Sequence, residues 1–492
     1  MLLQEQKHKI VTTNENKSEL DSLLSKVNMK APQKPFDQNN LPDDAPTNEY
    51  VTAGVRHLID KVLMPDAQVD KIDQFLLDSY ITEIDNKIEA QLNKIIEHPE
   101  FKEVEKTWKG IKFTVERSDH GLELLNYPKK LLIEDFEDAP SIEKSGLYKH
   151  IYTKAFDQPG AIPYTYMAAD YQFNNSSNDI QLLKNISKVA ASAHCLFFSS
   201  VDHNFFGFKS SDDMLKENLN KVFDQHEFIK WNSLRSSDES RYIGLVLNRF
   251  LLRLPYGEDN KVKSFNFKED VLSDSENYLW GNPVYAFIAN INKAFDDKGW
   301  GLNIIGPENG GKVENLPVHI YKTLTGSHKR IPTEILMSDT KEYEFAKSGF
   351  IPLVVYENQD FAVFFSAQSI QKATGYYDDH DTANAKLAAN IPYMLLLSRI
   401  AHYLKIKLRE TTGKSIDPEA IKNGLTRWLN NLKSERPDNT SKRPLKNFNL
   451  EISSYDDSPG YYHIMMSIEP HIQLKGVHVN LKLVAQLNKK KE

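Results

Sequence analysis

The sequence has one cysteine, no long uninterrupted apolar run and no strong excess of either charge. The single cysteine, Cys195, excludes an internal disulfide and is compatible with a reducing compartment. The net charge of −7 argues against nucleic-acid binding and suits partners with basic faces. Pro392 and Arg399 interrupt the longest apolar run, and the N-terminus has no apolar signal core. We therefore expect a cytoplasmic protein that does not insert into a membrane.

The spacings that mark common catalytic and metal sites are also missing. No H-E-x-x-H or paired C-x-x-C occurs, and the consecutive residues Asp378–Asp381 predict a solvated loop rather than a metal site. His194 and Cys195 are adjacent and point apart, so we expect a buried structural thiol. His319 lies in a predicted strand, where a core histidine with a hydrogen-bond partner is expected. We predict no catalytic residue, no metal and no cofactor.

One segment, Gly306–Lys312, matches the G-x-x-x-x-G-K pattern of a phosphate-binding loop. Such a loop needs Ser or Thr next and then a helix, whose amides and dipole face the phosphates. Here Val313 follows, and the next residues predict a strand. The segment therefore predicts a turn, and a nucleotide-binding enzyme is the less favoured alternative.

The length of 492 residues is enough for two or three domains. Residues 1–52 are polar and predict a mostly disordered arm with a short helix over 18–29. In that helix Leu20, Leu23, Leu24 and Val27 form one apolar stripe, which either docks on its own domain or binds in a partner's groove. A polar junction over 371–381 separates a core region, 53–370, from a C-terminal domain, 371–492.

Apolar periodicity predicts a mixed α/β fold with a helical N-terminal region and a mixed-sheet core. Helices are expected over 53–97, 101–116, 179–193, 382–409 and 417–431, and within 278–295. Strands are expected at 122–125, 131–133, 195–201, 299–306, 448–453 and 461–468. In the last strand, Val477–Val484, the residues Val477, Val479, Leu481 and Leu483 share one face.

Residues 331–369 predict a scaffold of buried strands at 335–337, 351–356 and 361–365. Between the first two lies a helix over 339–347 with charges of both signs, namely Asp339, Lys341, Glu342, Glu344 and Lys347. Its charged side is either a solvated face or a contact for a charged partner.

A series of motifs along residues 55–487 resembles the large subunit of the type VI secretion contractile sheath, the TssC/VipB family. They include Asp170–Phe173, Asp179–Leu183, Ile186–His194, Lys230-Trp231, Ser240–Leu245, Arg249–Gly257, Leu279–Asn282, Gly299-Trp300, Leu316–His319, Pro332–Glu334, Ala346–Leu353, Ala367–Ser369, Ser398-Arg399, Ala401–Lys405 and Pro470–Leu474. Each motif is weak alone, but their shared order is specific.

The resemblance implies a structural protein rather than an enzyme. Its expected partner is a small sheath subunit (TssB/VipA-like), with which it would stack in six-fold rings into a helical sheath around an Hcp-like tube. The sheath would assemble on a baseplate and contract to propel the tube, and a ClpV/ClpB-type AAA+ ATPase would dismantle it. A sheath of another phage-tail-like machine stays as an alternative.

The resemblance also suggests roles for three elements. The helix with Leu20, Leu23, Leu24 and Val27 would be read by the ATPase. The strand with Val477, Val479, Leu481 and Leu483 would be exchanged between subunits. The helix Asp339–Lys347 would face the tube.

Overall fold

The computed structural model describes residues 74–119, 121–158, 160–263, 266–323, 326–356, 359–375, 378–411, 418–434, 442–454, 462–471 and 481–486. The chain divides into two units, Met1–Glu83 and Ile84–Glu492. The described part of the first unit is the beginning of helix α1. The predicted arm and the helix over 18–29 lie outside the described residues.

Nine helices of nine residues or more occur in the described part of the chain. They are α1 (Gln74–Ile96), α2 (Pro99–Val115), α3 (Lys129–Asp138), α4 (Ser177–Ala193), α5 (Pro283–Lys298), α6 (Asp339–Lys347), α7 (Asp379–Ala388), α8 (Ile391–Thr411) and α9 (Pro418–Leu432). Pro392 is the second residue of α8, where its missing amide hydrogen costs nothing, so it restarts the helix as predicted.

Shorter helical turns connect these elements. They lie at Ile142–Lys144, Gly146–Tyr148, Lys149–Thr153, Lys154–Asp157, His203–Phe206, Asp213–Lys216, Leu219–Phe223, His226–Phe228, Ile229–Arg235, Asp238–Tyr242 and Ser275–Asn277.

The thirteen strands of the described residues form four sheets. They are β1 (Tyr166–Phe173), β2 (Leu196–Val201), β3 (Ile243–Leu247), β4 (Phe250–Leu251), β5 (Trp280–Gly281), β6 (Lys312–Val313), β7 (His319–Thr323), β8 (Gly326–Arg330), β9 (Phe350–Val355), β10 (Ala362–Phe364), β11 (Leu445–Ser454), β12 (Tyr462–Pro470) and β13 (Leu481–Gln486). The central sheet has the order β1-β2-β3-β9-β10-β6. Its first four strands are parallel and the last two are antiparallel, which confirms the predicted mixed sheet.

Both faces of the central sheet are buried. Strands β2, β3 and β9 are buried along their whole length. Successive side chains of a strand point to opposite faces. Accordingly Phe198 joins a core cluster with α5 and α8, whereas Phe197 joins a second cluster with α4. This explains why the sequence of these strands is continuously apolar rather than alternating.

The strand predicted at 335–337 is wrong. Ile335 and Met337 are buried, but their backbone pairs with no strand among the described residues, and the Asn248 side chain makes hydrogen bonds to that backbone instead. Its Nδ2 donates to Ile335 O at 3.1 Å and to Leu353 O at 2.7 Å, and its Oδ1 accepts from Ile335 N at 3.2 Å. Asn248 reaches these groups from the left-handed region (φ 76°), which asparagine tolerates.

Three other predicted strands are also wrong. Residues 131–133 lie in α3, where only Leu132 is buried and Leu131 is 49% exposed. Residues 122–125 form neither helix nor strand and pair with no strand in the described part of the chain, and Leu124 and Leu125 are exposed. Residues 299–306 form turns, because Gly299 ends α5 in the left-handed conformation (φ 78°).

The C-terminal sheet has the order β11-β12-β13 and is antiparallel. It confirms the strands predicted at 448–453 and 461–468, with longer bounds for the first. In the final predicted strand, Leu481 and Leu483 lie in β13 opposite Ile468 and Met466. Val477 and Val479 lie outside the described residues. No strand pairs with the other edge of β13 in the described part of the chain.

Candidate assembly surfaces

Helix α6 has the predicted bounds, Asp339–Lys347. The Ser338 hydroxyl caps its first turn by accepting a hydrogen bond from Lys341 N at 3.4 Å. On its inner side Phe345 is fully buried and contacts the rings of Phe206 and Phe350. The core therefore fixes one side of the helix and leaves the other for external contacts.

Two of the predicted site residues on α6 are bound within the chain. The Lys341 ammonium lies 2.8 Å from Glu344 Oε2 and donates to Glu217 O. Glu344 Oε1 accepts from Leu219 N at 2.6 Å. Lys341 and Glu344 thus hold the segment at 217–219 in place through hydrogen bonds, so their side chains do not belong to a solvated face.

Glu342 is also turned inward. It is 9% exposed, and its Oε1 accepts a hydrogen bond from the Ser366 hydroxyl at 2.5 Å. Burial raises the pKa of Glu342, because it removes water from the carboxylate; the hydrogen bond from Ser366 opposes this effect, and the nearby Asp339 charge adds to it.

The outward face of α6 consists of Asp339, Thr340, Tyr343 and Lys347, with Leu336 just before the helix. Tyr343 is 58% exposed and Leu336 is 47% exposed. An exposed aromatic ring between one acidic and one basic side chain resembles the core and rim of a protein interface.

Two arginines of the motif Arg249–Gly257, for which the sequence predicted no individual role, hold this half of the molecule together. Arg253 donates to Glu105 of α2 and to Glu269, each at 2.6 Å. The side chains of Arg253 and Glu269 are 8% and 1% exposed. Burial alone would lower the pKa of Arg253, but the two carboxylates raise it. The signal in the sequence was the pattern R-F-L-L-R, since a charge inside an apolar run needs a partner.

The first arginine of that pattern, Arg249, makes a similar contact. Its Nε lies 2.7 Å from Glu334 Oε2, and its Nη2 lies 2.8 Å from Glu276 Oε1. Burial opposes ionisation of Glu334, but Arg249 outweighs it and lowers the pKa of that carboxyl. These contacts fix Pro332–Glu334 beside β4.

The segment Gly306–Lys312 is a turn, as predicted. Gly311 N donates to Gly306 O at 2.9 Å, and Gly306 N donates to Phe364 O at 2.7 Å. A Cβ on Gly310 would lie 2.0 Å from Asn303 O, so only glycine fits there. The turn leads into strand β6 rather than a helix, and the Lys312 ammonium pairs with Glu314 at 2.9 Å. This geometry differs from that of a phosphate-binding loop.

The histidines and the cysteine have structural partners. Burial raises the pKa of the Cys195 thiol, and the His194 Nδ1 lies 2.9 Å from the Tyr242 hydroxyl. Burial also lowers the pKa of His194 to about 3. His319 Nδ1 lies 2.8 Å from the Tyr278 hydroxyl. The prediction of a buried thiol is confirmed, whereas His319 has the predicted hydrogen-bond partner but is half-buried and does not lie in the core.

Helix α8 contacts the ends of two other helices through one face. His402 Nε2 lies 2.9 Å from Ala193 O, and the Lys405 ammonium donates to Ser192 O at 3.0 Å, both at the end of α4. Arg409 Nη1 donates to Phe156 O at 2.8 Å, in the turn Lys154–Asp157. Donors at helix C-termini satisfy carbonyls that lack an intrahelical partner.

In the described part of the chain, no three His, Cys, Asp or Glu side chains are grouped so as to hold a metal ion. No helix of that part has the length and apolar character needed to cross a membrane. The predicted ATPase-binding residues Leu20, Leu23, Leu24 and Val27 lie outside it.

Two family models match the chain in succession. Residues 78–371 match the EvpB/VC_A0108 tail sheath N-terminal domain (VipB), and residues 380–487 match the tail sheath gpW/gp25-like domain of the same name. Among curated proteins, the type VI secretion system sheath protein TssC1 of Pseudomonas aeruginosa is 35% identical over 496 residues, covering 98% of this chain and 97% of that protein.

Solved structures of contractile machines are more distant. The baseplate of the anti-feeding prophage is 9% identical and has a TM-score of 0.34, with 76% of this chain and 80% of that chain covered. The contracted helical sheath of the same prophage is also 9% identical, with a TM-score of 0.31 and 78% and 79% covered.

Proposed function

This chain belongs to the VipB family of tail sheath proteins, and we propose that it pairs with a small sheath subunit to build and contract a helical sheath. The chain is a structural subunit of the contractile sheath of a type VI secretion system. The observation that carries this conclusion is the 35% identity to TssC1 along almost the whole of both chains, with both sheath domains in order.

In the proposed assembly, pairs of large and small subunits stack in six-fold rings around an Hcp-like tube, on a baseplate in the bacterial cytoplasm. The extended sheath is metastable, and contraction moves the subunits into better-packed contacts while each subunit stays rigid. The central sheet supports this role, since its two buried faces and the arginine clusters tie the elements of one subunit together.

Strand β13 is proposed as the link between neighbouring subunits. It lies at an edge of the C-terminal sheet, where a strand from another subunit can add main-chain hydrogen bonds, and such a link survives a large rigid-body shift. We expect deletion of residues 477–492 to prevent sheath assembly. Sheaths of normal length from the truncated protein, seen by negative-stain microscopy, would contradict this assignment.

The outward face of α6, comprising Asp339, Thr340, Tyr343 and Lys347, is proposed to face the tube. Its support is the exposure of these side chains, because Lys341, Glu342 and Glu344 are bound within the chain. The contact would depend on charge pattern more than on buried area.

The segment with Leu20, Leu23, Leu24 and Val27 is proposed as the recognition site of a ClpV/ClpB-type ATPase, hidden in the extended sheath and freed on contraction. Its support is the apolar stripe in the sequence. Leu24→Asp should abolish capture of contracted sheath by the ATPase. If the ATPase still pulls down contracted sheath made with the variant, it recognises another segment.

The decisive experiment is co-expression of this chain with a small sheath subunit of the TssB/VipA type, followed by electron microscopy. We expect a stable complex and tubules with a cogwheel cross-section. A chain that stays monomeric beside its small partner, or a complex that never forms tubules, would contradict the proposed function.

A further inference from the structure

The hairpin of β7 and β8 contains basic residues and no acidic residue. No Asp or Glu occurs between Glu314 and Glu334, whereas Lys322, Lys329 and Arg330 contribute three positive charges. Because the whole chain has a net charge of −7, the remainder without these three charges has −7 − 3 = −10. The hairpin is therefore positively charged, whereas the rest of the chain has a net negative charge.

The inner face of the hairpin is fixed to the subunit. His319 contacts the Tyr278 hydroxyl at 2.8 Å, and the Arg330 guanidinium lies 5.3 Å from the centre of the Trp280 ring. Tyr321 lies between His319 and His328 on the same face. These contacts hold the two strands in one orientation, although an isolated hairpin is marginally stable in water.

The outer face has different chemistry. The register pairs Ile320 with Lys329 and Lys322 with Ser327, so these four side chains point away from the anchored face. Ile320 is 58% exposed. In the part of the chain that the structure describes, neither lysine ammonium has an ion pair or a hydrogen bond. Two unpaired cations around an exposed apolar side chain form a small surface that attracts an acidic partner.

We propose that this outer face, Ile320, Lys322 and Lys329, docks on an acidic surface of a neighbouring copy of this chain. The inference rests on the proposed function, which places many copies side by side. The charge complementarity is internal to the chain, since each copy has an excess of ten negative charges outside the hairpin. A nucleic acid is a poorer fit, because only two cations face outward and phosphate backbones are bound by more.

The test uses the full chain co-expressed with its small subunit. Lys322→Glu combined with Lys329→Glu should leave the yield and melting temperature of the large–small complex unchanged and reduce tubule formation by about tenfold or more. Tubule formation by the wild type should also fall as ionic strength rises from about 0.05 M to about 0.5 M, because salt screens exposed charges. The variant should lose this salt dependence.

The matched control is Lys144→Glu combined with Lys149→Glu, which makes the same charge change at two exposed lysines elsewhere. It should form tubules like the wild type. Equal loss in the control would assign the effect to net charge and overturn the proposal. Loss of the large–small complex in the hairpin variant would identify the small subunit as the occupant and would overturn the proposal. A wild-type tubule yield that falls to that of the hairpin variant after nuclease treatment would identify nucleic acid as the occupant and would also overturn it.

Failure of this inference and failure of the proposed function give different results. Wild-type tubules together with normal tubules from the hairpin variant contradict the role of the hairpin alone. A wild-type complex that forms no tubules contradicts the sheath function, and the role of the hairpin with it.

Discussion

Helix α6 and the β7–β8 hairpin both place lysines on the protein surface, but the lysines have different environments. Lys341 of α6 is held by Glu344 and by a backbone carbonyl, and only 13% of its side chain is exposed. Lys322 and Lys329 of the hairpin are exposed and have no partner in the described residues. The first lysine stabilises the subunit, whereas the other two are free to act between subunits.

The same distinction separates the charges of the whole molecule into two classes. Inward charges such as Arg253 are satisfied within the chain, and their removal should change stability. Outward charges such as Lys347 contribute little to folding, and their removal should change assembly. The following predictions test this division, from the largest expected change in stability to the smallest.

Arg253→Met should destabilise the subunit most. It leaves Glu105 and Glu269 without their cation, and breaking a buried ion pair by removing one partner costs about 3–5 kcal/mol. Chemical denaturation of the purified large–small complex measures the loss. The control, Arg241→Met, removes an arginine whose partner Asp238 is 89% exposed, and it should cost at most about 1 kcal/mol. Equal losses would show that burial does not separate the two classes.

Lys341→Glu should cost about 2 kcal/mol, because it removes charged hydrogen bonds and brings a second carboxylate beside that of Glu344 and beside the Glu217 carbonyl. Lys347→Glu on the same helix makes the same substitution at an exposed position and should change stability by about 0.5 kcal/mol or less. Thermal unfolding of the two variants compares them directly. If both lose the same stability, the Lys341 contacts contribute nothing.

Glu342→Gln should stabilise the subunit at neutral pH. The folded-state pKa of Glu342 is raised, so its contribution to stability is fully present below its unfolded value of 4.5 and is lost as the pH rises through the folded value. Glutamine keeps an acceptor for Ser366 without the buried charge. The gain in melting temperature should therefore shrink as the pH is lowered toward about 4.5.

A matched variant gives the opposite sign. Glu344→Gln loses the ion pair with Lys341 and should lower the melting temperature at neutral pH. A gain from both substitutions would show that removing any charge from α6 is favourable, and the distinction between Glu342 and Glu344 would fail.

Asp339→Lys combined with Lys347→Glu should have a small effect on stability, because it only reverses two exposed charges at the helix ends, and a large effect on assembly. The pair reverses the outward charge pattern of α6 and leaves the net charge unchanged. We expect a slightly lowered melting temperature, because the reversed charges oppose the helix dipole, and no sheath around the tube, measured by co-purification of the tube protein with sheath. Normal co-purification would show that this face is only solvated.

The sequence predicts best where the pattern is local. Helix α6 has the predicted bounds because a capping serine, charges at both ends and a buried Phe345 all act within a few residues. Strands β9 and β10 were predicted within one residue at each end because their apolar runs are bounded by glycine and by polar turns. The family was identified from motifs in order, and the comparisons confirm it.

The failures come from contacts between distant residues. Residues 335–337 have the composition of a strand, but Asn248, far away in the chain, takes their hydrogen bonds. In the same way, the sequence could not show that Lys341 and Glu344 are held within the chain, because their partners at 217–219 lie far from them in the sequence. The sequence predicted which residues of α6 are charged, and only the fold shows which of them are available to a partner.

The contacts of helix α8 have a mechanical consequence. His402, Lys405 and Arg409 lie at i, i+3 and i+7 and so occupy one narrow arc of the helix. Turning α8 about its own axis would move all three side chains away from their carbonyl partners together. The contact between α8 and the end of α4 therefore resists torsion. We expect α4 to rotate together with α8 when α8 is twisted.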